Sequence, residues 1–146
     1  MKNINPLLLL LVFIFSQFIL IAEDGQKAKL VVKCIGLKSN KGSVKMALCN
    51  SIKNYEDQEN PFIGKTLSIK NKIAEIEIDD IPYGDYAIKS FHDENDNNDL
   101  DTNFLGLPVE DYGFSNNARG TFGPPSWKEA KFKVQKDYIL VEIELK

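Results

Sequence analysis

The sequence predicts an all-β domain, an antiparallel β-sandwich of about seven short strands with one long ordered loop over 92–127. Three observations carry that prediction. Apolar and polar residues alternate with period two in most of the chain after residue 27. Turn-forming residues punctuate the alternation at short intervals. No long helical period follows the first 22 residues, and strands without helices pack as sheet on sheet.

Residues 1–22 read as an address. Lys2 gives a short positive start, and residues 7–22 are apolar apart from Ser16 and Gln17. That run is short for a membrane-spanning helix, which needs about 20 residues, and it suits a secretory h-region. The expectation is a signal peptide over 1–22, cut after Ala22, with a single domain over 23–146 that is secreted or periplasmic and keeps no transmembrane segment. An uncleaved anchor is the alternative. Cleavage removes Lys2 and takes the formal charge from −3 to −4. A mildly acidic domain without a basic stripe cannot neutralise phosphates, which argues against nucleic acid.

The elements follow in order. Leu30, Val32 and Cys34 share one face of a first strand, and Val44, Met46 and Leu48 one face of a second. The residues Lys38, Ser39, Asn40, Lys41 and Gly42 between them read as the turn of a hairpin. A Cys34–Cys49 disulfide would centre on that turn, and export permits one. Yet Cys49 lies on the face opposite Met46, so the bridge requires a bulge. Residues 50–65 read as a polar connection with a helical turn near Tyr55. Strands over 66–70 and 73–78 meet at Asn71 and Lys72, with Ala74, Ile76 and Ile78 inward and Glu75 and Glu77 outward. After a turn over 79–85, a strand over 86–91 runs into an acidic loop. Strands over 130–134 and 138–145 close the domain, the last with Ile139, Val141, Ile143 and Leu145 inward.

The acidic loop holds the most specific pattern. Asp93, Asn95, Asn97, Asp99 and Asp101 recur at every second residue, and Leu100 precedes the last. Hard cations such as Ca²⁺ take six to eight oxygens in irregular geometry, and the spacing matches the first nine positions of a calcium loop. Asn98 stands where such loops take Gly, and Phe104 where the closing bidentate Glu belongs. The closing ligand is therefore expected from Asp96, Asp111 or water. Asp and Asn are also ordinary turn formers, so a hydrated turn is the competing reading. The rest of 92–127 is too rich in apolar residues to be a disordered tail.

Ile81-Pro82-Tyr83-Gly84-Asp85-Tyr86-Ala87, His92-Asp93-Glu94-Asn95 and Leu100-Asp101-Thr102-Asn103-Phe104-Leu105-Gly106 resemble the secreted bacterial domain-of-unknown-function 2141 family. The likeness continues through Tyr112-Gly113-Phe114-Ser115-Asn116-Asn117-Ala118 and Phe122-Gly123-Pro124-Pro125. It implies an exported immunoglobulin-like or prealbumin-like β-sandwich and no assigned activity. The strand start at Pro82, Gly84 and Tyr86, followed by an acidic loop, also resembles calcium-binding repeats of bacterial surface adhesins.

Arg119 is the only arginine among seventeen lysines. Its planar five-donor fork suits a bidentate carboxylate or several loop carbonyls. It is expected to tie the loop to Glu110, Asp111 or a calcium ligand, with ligand recognition as the alternative. Tyr112, Phe114, Phe122 and Trp127 read as a satellite core beneath the loop or as an aromatic platform for a sugar or peptide. His92, the only histidine, reads as a strand cap bonding loop backbone, or as a general base oriented by Asp93. The function expected is a secreted binding or structural module, stabilised by calcium, whose partner is a protein, peptide or glycan. A small extracytoplasmic hydrolase using paired acids within 92–127 is the rival. A subunit that lends a strand to an envelope assembly is a third reading.

Overall fold

A computed structural model describes residues 25–57 and 59–146, so the predicted signal segment lies outside the described residues. The elements are β1 (Lys27–Ile35), β2 (Ser43–Cys49), α1 (Ile52–Glu56), β3 (Ile63–Lys70), β4 (Ile73–Pro82), β5 (Gly84–Asp93), β6 (Tyr112–Phe114), α2 (Trp127–Ala130), β7 (Phe132–Val134) and β8 (Tyr138–Glu144). The all-β expectation holds. No helix among the described residues is long and apolar enough to cross a membrane.

The strands form one hydrogen-bonded path, β6-β5-β2-β3-β4-β1-β8, with β7 also on β5. All pairs are antiparallel except β1–β8. The two ends of the path meet. Tyr112 N–H donates to Lys146 O at 3.3 Å, and Lys146 N–H donates back to Tyr112 O at 3.2 Å. The sheet is thus nearly closed into a barrel, which hides the edges that an open sheet would expose.

The predicted β1–β2 hairpin is absent. β1 pairs with β4 and β8, and β2 pairs with β3 and β5. The chain crosses from one side of the barrel to the other through 36–42, bending at Gly36 (φ 85°) and Gly42 (φ 65°). A Cβ on Gly42 would collide with the Asp93 carbonyl and the Glu94 backbone, so glycine is needed for this close approach. Alternation specifies which face of a strand is buried but not which strands lie beside it, and that is why the hairpin reading failed.

The cysteines follow from the same geometry. Cys34 is wholly buried in the main core with Leu30, Val32, Leu48 and Ile143, whereas Cys49 belongs to a second cluster with Tyr55, Ala87, Phe114 and Ala130. Both thiols are free. They lie on strands that do not pair and serve different cores, so no bulge brings them together. Elsewhere the alternation is accurate: Ala74 is buried between exposed Ile73 and Glu75, and Val141 and Ile143 are buried while Leu140 and Glu142 are exposed. Asn71 and Lys72 turn the β3–β4 hairpin with φ of 54° and 60°, as a two-residue turn demands. β4 continues into the predicted turn as far as Pro82. A register shift opposite Ala28–Leu30, with Asp80 at φ 59°, absorbs the extra residue.

Strand directions put the 36–42, 71–72 and 93–111 segments and the chain's last residues at one end of the barrel. Residues 25–26, 50–57, 59–62 and 135–137 lie at the other.

Candidate calcium loop

β5 delivers His92 and Asp93 to the loop end, and both are wholly buried. The Asp93 carboxylate is turned back onto its own loop, accepting from Asn97 N–H at 3.1 Å and Asn98 N–H at 2.9 Å. The Lys45 ammonium lies 3.5 Å from Asp93 Oδ2 and donates to Asn98 Oδ1 at 2.7 Å. Asn98, at the position where calcium loops take Gly, has φ 71°, and Asn is the side chain that best tolerates this left-handed conformation. Asp96 is also left-handed and accepts from the Ser43 hydroxyl at 2.8 Å, which locks the loop to β2.

Asn95, Asn97 and Asp101 converge. The Asn95 and Asn97 amide nitrogens donate to the two Asp101 oxygens at 2.7 and 3.0 Å, while their carbonyl oxygens accept from Asn97 N–H and Asp99 N–H. Asp99 is exposed and enters this network through its backbone N–H. Among the described residues, no group of three or more His, Cys, Asp or Glu side chains is placed to hold a metal ion. A cation centre here would have to draw on the asparagines.

Sequence reading named Glu110 only as a partner for Arg119 and missed its role in the acidic loop. Its two carboxylate oxygens accept from Glu94 N–H at 2.9 Å and Asp101 N–H at 3.0 Å, so it clasps both ends of the acidic loop. No periodicity marks it. The chain returns because Val109 N–H donates to Asp101 O at 2.9 Å, and that fold-back is a tertiary event. Nor do Glu110 and Asp111 pair with Arg119. Asp111 bonds the Lys38 ammonium at 2.6 Å.

Arg119 takes the carbonyl option. Its two terminal nitrogens donate to Tyr112 O and Glu144 O, each at 3.1 Å, and its guanidinium carbon lies 5.7 Å from the Tyr112 ring centroid. These carbonyls belong to β6 and β8, so Arg119 staples the seam where the barrel closes. Asn117 Oδ1 accepts Glu144 N–H at 2.8 Å beside it. Of the aromatics, Phe114 is buried, Tyr112 meets it edge-on at 6.0 Å and Trp127 is half-buried against Tyr55 at 5.7 Å. They form the satellite core, and Phe122 is wholly exposed. His92 takes the capping role, with Nε2 2.8 Å from Lys41 O.

Ser115 was also missed. It is wholly buried, accepts Ile88 N–H at 2.8 Å and donates to Ala130 O at 2.6 Å, joining β5 to the end of α2.

No curated protein and no solved structure matches the chain. A family model does, the one described as an uncharacterized protein conserved in bacteria (DUF2141), over residues 32–140. With about three-quarters of its length matched, this chain belongs to the domain-of-unknown-function 2141 family.

Proposed function

We propose that the protein is an exported binding module whose β5–β6 loop holds calcium and whose barrel end carries the binding surface. The faces β1/β4/β8 and β2/β3/β5/β6 read as the two layers of a prealbumin-like sandwich joined at the β3–β4 turn. The observation that carries the calcium reading is Glu110. Clasped over Glu94 and Asp101, it supplies the carboxylate that Phe104 cannot. Asp93, Asn95, Asn97 and Asp101 give side-chain oxygens, Asp99 its carbonyl as seventh position, and Glu110 the closing ligand. The donor set is all oxygen, as a hard cation requires. Binding asks the Asn95 and Asn97 amides to turn their oxygens towards Asp101, a rotation about one terminal torsion each. Lys45 beside Asp93 opposes the cation, and affinity falls in the extracellular range, on the order of 10⁻⁴–10⁻³ M.

Thermal unfolding in calcium against chelator tests the reading. At ten times Kd, calcium that binds only the folded state adds about 1.4 kcal/mol. Asp101→Ala and Glu110→Gln should each abolish the shift. An unmoved wild-type melting temperature would leave the segment as a hydrated turn.

A further inference from the structure

Beyond the acidic loop the chain makes a small hairpin with an unusual surface. Residues 102–109 carry no charge, although charged residues make up 27% of the chain, and all eight are exposed. Phe104 is 95% exposed, Leu105 67%, Leu107 58% and Val109 62%. Thr102 bridges Pro108, Asn103 N–H donates to Leu107 O at 2.8 Å and Gly106 N–H to Asn103 O at 2.9 Å. Asn103 Oδ1 accepts from Leu105 N–H at 2.9 Å and Leu107 N–H at 3.1 Å. With Val109 bonded to Asp101, five N–H groups of the finger are satisfied locally. Such a segment can leave water without stranding those donors. The finger is a protrusion that inserts, not a groove that receives.

Its surroundings say into what. At the same barrel end stand exposed Lys38, Lys41 and Lys72 together with the exposed loop acids Glu94, Asp96 and Asp99. Lys72 N–H bonds Asn40 Oδ1 at 2.7 Å, which joins their two turns, and Lys38 bonds Asp111 at the finger's base. An uncharged apolar tip beside lysines, with the neighbouring acids neutralised by calcium, is the pattern of an interfacial anchor for anionic lipid. The open cleft at Tyr83, Asp85 and Lys133, at the opposite end, is rimmed by charge and makes a poor receptor for such a tip on a second copy. We infer that this end docks on an anionic lipid surface, with Phe104, Leu105, Leu107 and Val109 entering the interface and Lys41 and Lys72 meeting headgroup phosphates. This deepens the binding-module reading and rests on it. Calcium's part is to neutralise the carboxylates at the finger's base and hold them in place.

The exported, processed chain is sedimented with vesicles of phosphatidylcholine, alone or mixed with phosphatidylglycerol, in millimolar calcium and in chelator. The mixed vesicles should bind more protein. Phe104→Glu combined with Leu107→Glu should lower partitioning about tenfold at an unchanged melting temperature, because both side chains are exposed. Lys41→Glu with Lys72→Glu should lower it on the mixed vesicles alone. Equal sedimentation of the finger variant, or none of the wild type, overturns the inference. So does finger-dependent self-association without vesicle binding, which would make a second copy the occupant. A calcium-induced thermal shift without vesicle binding removes this inference and leaves the calcium reading standing. Finger-dependent binding that persists in chelator upholds the lipid contact and takes calcium out of it.

Discussion

The two halves of the interval between β5 and β7 are both rich in apolar residues and treat them in opposite ways. Residues 93–111 leave Phe104, Leu105, Leu107 and Val109 in water, while residues 112–130 bury Phe114 and Ala130 and half-bury Tyr112 and Trp127. The second half runs back along β5, pairing at Lys89–Phe91, and so lands on a sheet face already lined by Cys49 and Ala87. The first half leaves the barrel end, where no face is offered, and its order comes from local Asx bonds at Asp93, Asn95, Asn97 and Asn103. Apolar content makes burial favourable, but a segment is buried only where a surface exists to receive it. Phe122 makes the same point within the second half, since it sits away from the sheet and is wholly exposed.

Removing the link that seats the packed half should have the largest effect. Ser115→Ala leaves Ile88 N–H and Ala130 O unpaired in the interior, at a cost of about 2–3 kcal/mol in urea unfolding. A loss below about 1 kcal/mol would mean that the aromatics alone hold the segment down.

The packed half is also linked to Cys34 of the main core, whose thiol lies 3.9 Å from the Ser90 hydroxyl, which in turn donates to Gly113 O on β6. Burial pushes the Cys34 thiol up to about 11, against a smaller opposing effect of Ser90. The unfolded thiol ionises first, so stability is intact below about pH 9 and is lost as pH rises to 11, by on the order of 2 kcal/mol. Cys34→Ala should flatten that part of the decline. An identical slope in the variant would show that water reaches beneath the seam.

Arg119→Lys should have the smallest effect, about 1 kcal/mol, because the side chain is exposed yet one ammonium cannot reach both carbonyls in the plane of a fork. An unchanged melting temperature would mean that the Tyr112–Lys146 and Asn117–Glu144 bonds suffice to close the barrel.

The sequence alone determined what depends on near neighbours. The strands on either side of Asn71 and Lys72, the inward register of Ala74, Val141 and Ile143, the helical turn near Tyr55 and the turn chemistry of 93–101 all follow from spacing. Only the tertiary structure decided which strands meet. β1 lies between β4 and β8 instead of against β2, β6 exists because β5 offers it an edge, and Glu110 reaches Asp101 because the finger folds back. The physical reason is one of range. Alternation and backbone preference act over a few residues, whereas pairing partners, the separation of Cys34 from Cys49 and the exposure of Phe104 depend on which surfaces the whole chain brings together.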